Sequence, residues 1–186
     1  MKAHVYISID SIFANFFLLL LSTIISALFS GETYECDRSD DRGFRCISEQ
    51  VSHHPPMVAQ YSESTTGLWQ CWQEFSMRSK FKGKYLEVEP LGIAHLEFPK
   101  SGNHYTWRKV KTVVHNIVIG KLWVDQHGEM SVINHKTGDK CHMKFEPYSY
   151  FGGAAKKVTG TVVNSNDKVV LSLYLLHANI LRQFGF

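Results

Sequence analysis

Paired cysteine spacing is missing from this chain. Its four cysteines, at 36, 46, 71 and 141, form no C-x-x-C unit and no dense framework. Structural zinc draws its ligands from short loops, so no metal centre is expected, and the cysteines read as free thiols of a reducing compartment. Net charge is also scarce. A formal charge of +3, without a zinc finger, recognition helix or arginine-rich arm, gives no ground for nucleic acid as a partner. No repeat, low-complexity tract or Pro/Gly-rich linker divides the 186 residues, which allow one domain with a buried core. No acid/base pair, no nucleophile oriented by a base and no cofactor motif can be assembled, so neither an enzyme nor a cofactor is expected.

Aromatic side chains, by contrast, are plentiful, with eight tyrosines and four tryptophans. They suit a β-rich fold or a cavity with rigid apolar walls, and Trp69, Trp72, Trp107, Trp123, Phe75, Phe81 and Tyr85 are read mainly as core. From Gly67 onward, short apolar runs alternate with turn chemistry. Asp125-Gln126-His127-Gly128 stands between Ile117–Val124 and Met130–Ile133. Thr137-Gly138-Asp139 precedes Cys141–Phe145, and Asn164-Ser165-Asn166-Asp167 separates Val158–Val163 from Val169–Leu176. Such spacing predicts an antiparallel meander in a mainly β fold. Leu171–Arg182 reads as a strand running into a helix.

One stretch is basic. Arg78, Lys80, Lys82 and Lys84 share a face in extended chain, with Met77, Phe81 and Tyr85 on the other. Leu86 and Val88 then continue the lysine register, so a bulge near Gly83 is expected, because one extra residue flips every later side chain. The stripe has two readings. It is a solvated strand face that discourages edge pairing, which the pattern favours. Alternatively, it meets an anionic membrane surface, where each cation is worth about 1 kcal/mol.

The N-terminus is different in kind. Ser11 to Ser30 is twenty residues without a charge, including Phe16-Phe17-Leu18-Leu19-Leu20-Leu21. As a helix it would be about 30 Å long, enough to cross a bilayer. Lys2 and Asp10 make a poor charged leader for a signal peptide. Residues 1–30 are therefore an apolar leader, signal-like or transmembrane-like, with insertion through residues 11–30 as one expectation and a beginning foreign to the rest of the chain as another.

Residues 49–56 read Glu-Gln-Val-Ser-His-His-Pro-Pro. The prolines fix their own φ and push His54 towards extended geometry. Neighbouring side chains then diverge unless a kink or strand end intervenes. His53 and His54 are either structural histidines at a strand end or a pair of donors for an anionic phosphate. A phosphomonoester carries about −1.5 to −2 charge at neutral pH. An ordinary imidazole titrates near pH 6.5, so such binding would take up protons and weaken as pH rises.

The octapeptide resembles the signature of the oxysterol-binding protein family, and the resemblance extends along the chain. Gly31-Glu-Thr-Tyr-Glu35 precedes it. Ser79-Lys-Phe-Lys-Gly-Lys-Tyr85, Pro90-Leu-Gly92, His95-Leu-Glu-Phe98 and Gly102-Asn-His-Tyr105 follow. Val114-His-Asn116, Gly120-Lys-Leu-Trp123 and Asn134-His-Lys-Thr137 complete the series. It covers 31–170, a partial lipid-binding domain, and leaves 1–30 and a divergent tail at 171–186.

The resemblance implies a curved sheet closed around a lipid, here an incomplete β-barrel. In relatives, the residues matching His53 and His54 hold the phosphorylated inositol headgroup of phosphatidylinositol 4-phosphate at the mouth of a lipid tunnel. It also implies sterol binding, non-vesicular exchange of the two lipids between membranes, and a place in the cytosol and on the cytosolic face of organelle membranes. The family's N-terminal lid and C-terminal basic residues have no counterpart here. Impaired transfer is therefore expected, with an inactive truncated form or a membrane-anchored interaction protein as the alternative.

Overall fold

The structure, a computed structural model, describes residues 30–147 and 157–176. Residues 1–29 of the apolar leader and residues 177–182 of the stretch expected to run from strand into helix lie outside them. Among the described residues there is no helix. Twelve strands follow one another: β1 Thr33–Arg38, β2 Phe44–His53, β3 Pro56–Ser64, β4 Gln70–Phe81, β5 Tyr85–Leu91 and β6 Ala94–Phe98, then β7 Asn103–Trp107, β8 Lys111–His115, β9 Trp123–Asn134, β10 Lys140–Phe145, β11 Lys157–Val163 and β12 Val169–Leu176. All the pairings are antiparallel and form one sheet. The expected antiparallel meander is present. Among the described residues β1 and β12 each pair on one side only, so the ring these strands form stays open.

Long ribbons broken at mid-length explain the sheet's branched pairing. β5 and β6 lie end to end along β4, and β7 and β8 lie end to end between them and β9. Val88 faces Thr112 while Ala94 faces Trp107, so six steps on one side span five on the other. Lys111 faces His127 while Trp107 faces Val132, which places a second extra residue in β9. Each surplus residue sits by a left-handed glycine, Gly92 at φ 103° and Gly128 at φ 124°. Extra residues of this kind bend a strand and increase its twist, and these two lie on one crease. The core packs beside it: Cys71, Ala94, Leu96 and Trp107 are buried, with Trp69, Phe98, Tyr105, Met130 and Val132 against them.

Three sequence expectations change here. Asp125-Gln126-His127-Gly128 is the middle of β9 and not a turn, because Gly128 serves a bend within a paired strand. Ile117–Val124 is mostly the loop from β8 to β9, since Asn116 at φ 59° ends the extended run. No bulge lies at Gly83. Lys82 N–H donates to the Tyr85 carbonyl at 2.9 Å, closing a two-residue hairpin around Gly83 and Lys84. The turns at 137–139 and 164–167 lie where the sequence puts them.

Candidate functional site

The two histidines sit where β2 ends and β3 begins. Val51 is an extra residue in β2, because the register with β3 shifts between Gln50 and Ser52. A regular strand would send neighbouring side chains to opposite faces. The bulge and the tight turn, with a cis His54–Pro55 peptide, instead bring the two rings together. Their centroids are 4.3 Å apart with planes at 84°, and both side chains are exposed. Gln50 backs the pair from the buried face. Its Nε2 donates to the Ser52 carbonyl at 3.3 Å and lies 3.5 Å from His53 Nδ1.

Behind the turn the inner face of the sheet is polar. Ser48 faces Gln60, which faces Gln73, and all three are buried. Gln73 Nε2 donates to Gln60 Oε1. Ser48 Oγ, Gln50 Oε1 and Gln60 Nε2 have no partner among the described residues. A buried polar atom left this way costs about 1–3 kcal/mol, so the row is suited to a water or a hydroxyl brought in from outside.

The basic residues divide between strand and turn. Arg78, Lys80 and Lys82 share one face of β4 and its extension, while Lys84 is in the hairpin turn. The same face carries acids from β5, with Glu89 opposite Arg78 and Glu87 opposite Lys80. Arg78 pairs with Glu89 at 3.5 Å, and Glu87 pairs with Lys111 at 3.3 Å. Lys80, Lys82 and Lys84 are exposed and form no ion pair among the described residues.

The register points these features the same way along the sheet. Met57 faces Ser76, so the His53–Pro56 turn lies at the end towards which β4 runs, as does the hairpin tip at 82–84. Tyr85 faces His115 and His115 faces Trp123, so the 116–122 loop starts from that row too.

Two other groups were not visible as a site in the sequence. On the outer face, Trp72, expected in the core, stacks on His95. His95 Nδ1 lies 3.1 Å from His104 Nε2, and His135 follows at 5.0 Å between ring centroids. Strand alternation of His95 with Glu97 and of His104 with Thr106 was the available signal, but pairing of separate strands was needed to cluster them. On the inner face, the Lys109 ammonium lies 5.2 Å over the Phe75 ring, and burial pushes its pKa down to about 8. Lys109 lines a cleft with Gln73, Phe75, Gly92 and Ala94 whose volume of about 10 Å³ suits one water.

The sequence profile of the family described as oxysterol-binding protein matches residues 28–175. Oxysterol-binding protein 2 of Mus musculus is 56% identical over 139 residues, covering 74% of this chain and 15% of its own length. Oxysterol-binding protein-related protein 1 of Homo sapiens is 45% identical over 144 residues, covering 77% and 15%. The chain thus spans about 15% of the length of these relatives. Among solved structures, the Osh1 ORD domain in complex with cholesterol is similar with a TM-score of 0.65 and 36% identity, over 75% of this chain and 32% of that one. The Osh3 ORD in complex with PI(4)P from Saccharomyces cerevisiae gives 0.61 and 27%, over 84% and 47%.

Proposed function

This chain belongs to the oxysterol-binding protein family, and on that premise we propose that it is a lipid-binding module whose ligands are a sterol and phosphatidylinositol 4-phosphate. The observation that carries the reading is the exposed imidazole pair, two rings 4.3 Å apart at a hairpin turn. Side by side, His53 and His54 offer two donors to one phosphate, and protonation would add charge to those hydrogen bonds. The buried Ser48–Gln60–Gln73 row supports a second role, receiving the hydroxyl of a lipid whose apolar body lies along the inner face. Arg78, Lys80, Lys82 and Lys84 would draw the module to an anionic membrane surface. Exchange of one lipid for another breaks no covalent bond, so the protein is read as a carrier and not a catalyst. It would work in the cytosol and on cytosolic faces of organelle membranes, or be held there if residues 11–30 insert.

Sedimentation with vesicles containing phosphatidylinositol 4-phosphate, against vesicles containing phosphatidylinositol, tests the headgroup assignment. The wild-type chain should prefer the former, and His53→Ala/His54→Ala should lose the preference while its melting curve is unchanged. An unchanged preference in the double variant would remove the histidines from the phosphate role.

A second reading, headgroup binding with little transfer, is favoured by the open strand order, in which β1 and β12 each pair on one side only among the described residues and leave a sterol partly unsheltered. Sterol transfer between liposomes decides between the two. Carbonate extraction tests insertion through residues 11–30.

A further inference from the structure

The loop from β8 to β9 carries an apolar tip that no described residue covers. Ile117 is 39% exposed, Val118 66%, Ile119 84% and Leu122 58%. Apolar side chains gathered at such exposure mark an interaction site on a soluble surface. The loop is formed. Asn116 Nδ2 donates to the Lys121 carbonyl at 3.0 Å and closes it. At its base the His115 and Trp123 rings stack at 3.9 Å with planes 4° apart, and Tyr85 packs on His115. Beside it, one ribbon away, is the hairpin tip with Phe81, 56% exposed.

Charge identifies the occupant. Lys121 in the loop, Lys82 and Lys84 at the neighbouring hairpin tip and Lys80 on the strand leading to it are exposed and form no ion pair among the described residues. No acidic residue occurs in 116–124 or 80–86. Protein interfaces are depleted in lysine. An apolar loop with lysine within it and on the neighbouring hairpin, and an aromatic ring at its base, instead matches the boundary between acyl chains and anionic headgroups.

We infer that the 116–122 loop, flanked by the Lys82–Lys84 hairpin tip, is a wedge that inserts Val118, Ile119 and Leu122 into the surface of a bilayer containing anionic lipid. Ser76 faces Met57, the second residue of β3, and lies six residues before Lys82 along the ribbon, about 20 Å of strand. The wedge therefore meets the bilayer before the histidine turn does, and it sets the height at which that turn stands. Its action does not require headgroup capture, so vesicles without phosphoinositide or sterol separate the two.

The full chain with Ile119→Trp, its emission measured against the wild type, is mixed with vesicles of phosphatidylcholine and phosphatidylserine. The added indole should shift to the blue and be quenched by brominated acyl chains. Adding Lys82→Glu/Lys84→Glu/Lys121→Glu should lower the quenched fraction about tenfold or more, as should high salt. This readout is local, so binding through the apolar leader cannot imitate it. If the chain sediments with vesicles while the added indole is neither shifted nor quenched, the wedge is refuted. If the shift occurs without vesicles and grows with protein concentration, the occupant is a second copy and the membrane assignment is overturned. Ile119 is exposed enough for the melting curve to remain that of the wild type.

Discussion

Trp72 and His95 lie face to face on the outer surface of the sheet, with ring centroids 5.0 Å apart and planes 4° from parallel. Burial lowers the His95 pKa first, and the neighbouring His104 and His135 lower it further, against a smaller opposing pull from Glu74. Below about pH 6.5 the unfolded chain then binds more protons than the folded one, so stability falls as pH drops from that point towards the lower folded value. Urea midpoints should decline through mildly acid pH in the wild type and decline less in His95→Asn. Trp72 emission should change over the same interval. Equal slopes for the two proteins would contradict this.

Lys109 gives the opposite flank. Its pKa is pushed down to about 8 by burial, against about 10.4 for a free lysine. Between those values the unfolded chain carries the extra proton, so stability should rise with pH across the window. Lys109→Met should flatten that rise and keep its neighbours at Phe75 packed. Chemical denaturation on either side of the window measures it.

Gly92 is where β4 approaches closest. A Cβ there would meet the Glu74 carbonyl oxygen at 2.1 Å, with φ at 103° besides. Gly92→Ala should therefore cost about 3 kcal/mol or more, from strain and lost strand pairing. Gly83→Ala, in a turn with open space around it, should cost only about 1–2 kcal/mol. Thermal unfolding of the two variants should rank them in that order.

Gln50 is a positioning residue for the imidazole pair. Losing one weak hydrogen bond is worth about 0.5–1.5 kcal/mol, or roughly two- to tenfold in affinity. Gln50→Leu should weaken binding of phosphatidylinositol 4-phosphate vesicles by that factor and not abolish it. It should not lower stability much, since the buried Oε1 has no partner among the described residues. A loss as large as that of His53→Ala/His54→Ala would mean that Gln50 touches the lipid itself.

The octapeptide at 49–56 made the histidine pair legible, because two prolines behind two imidazoles constrain the backbone locally. The turns at 137–139 and 164–167 were legible for a similar reason, short polar clusters between apolar runs. The hairpin at Gly83 was misread because a two-residue turn and a bulge leave the same trace. In each, the inward face changes parity by one residue. Gly128 misled in the other direction. A left-handed glycine serves a reversal or a bend equally, and only the partner strands on both sides tell them apart.

The chain's own sequence determined its β character, its family and a stiffened His-His-Pro-Pro segment, since alternation, turn chemistry and proline act over a few residues; the bulge at Val51 that brings the two rings together needed the partner strand. It did not determine that His53–Pro56, Lys82–Lys84 and Ile117–Leu122 point the same way along the sheet, or that His95 stacks on Trp72. Those neighbours are brought together by register between strands, and register is fixed by the burial of one face of the whole sheet.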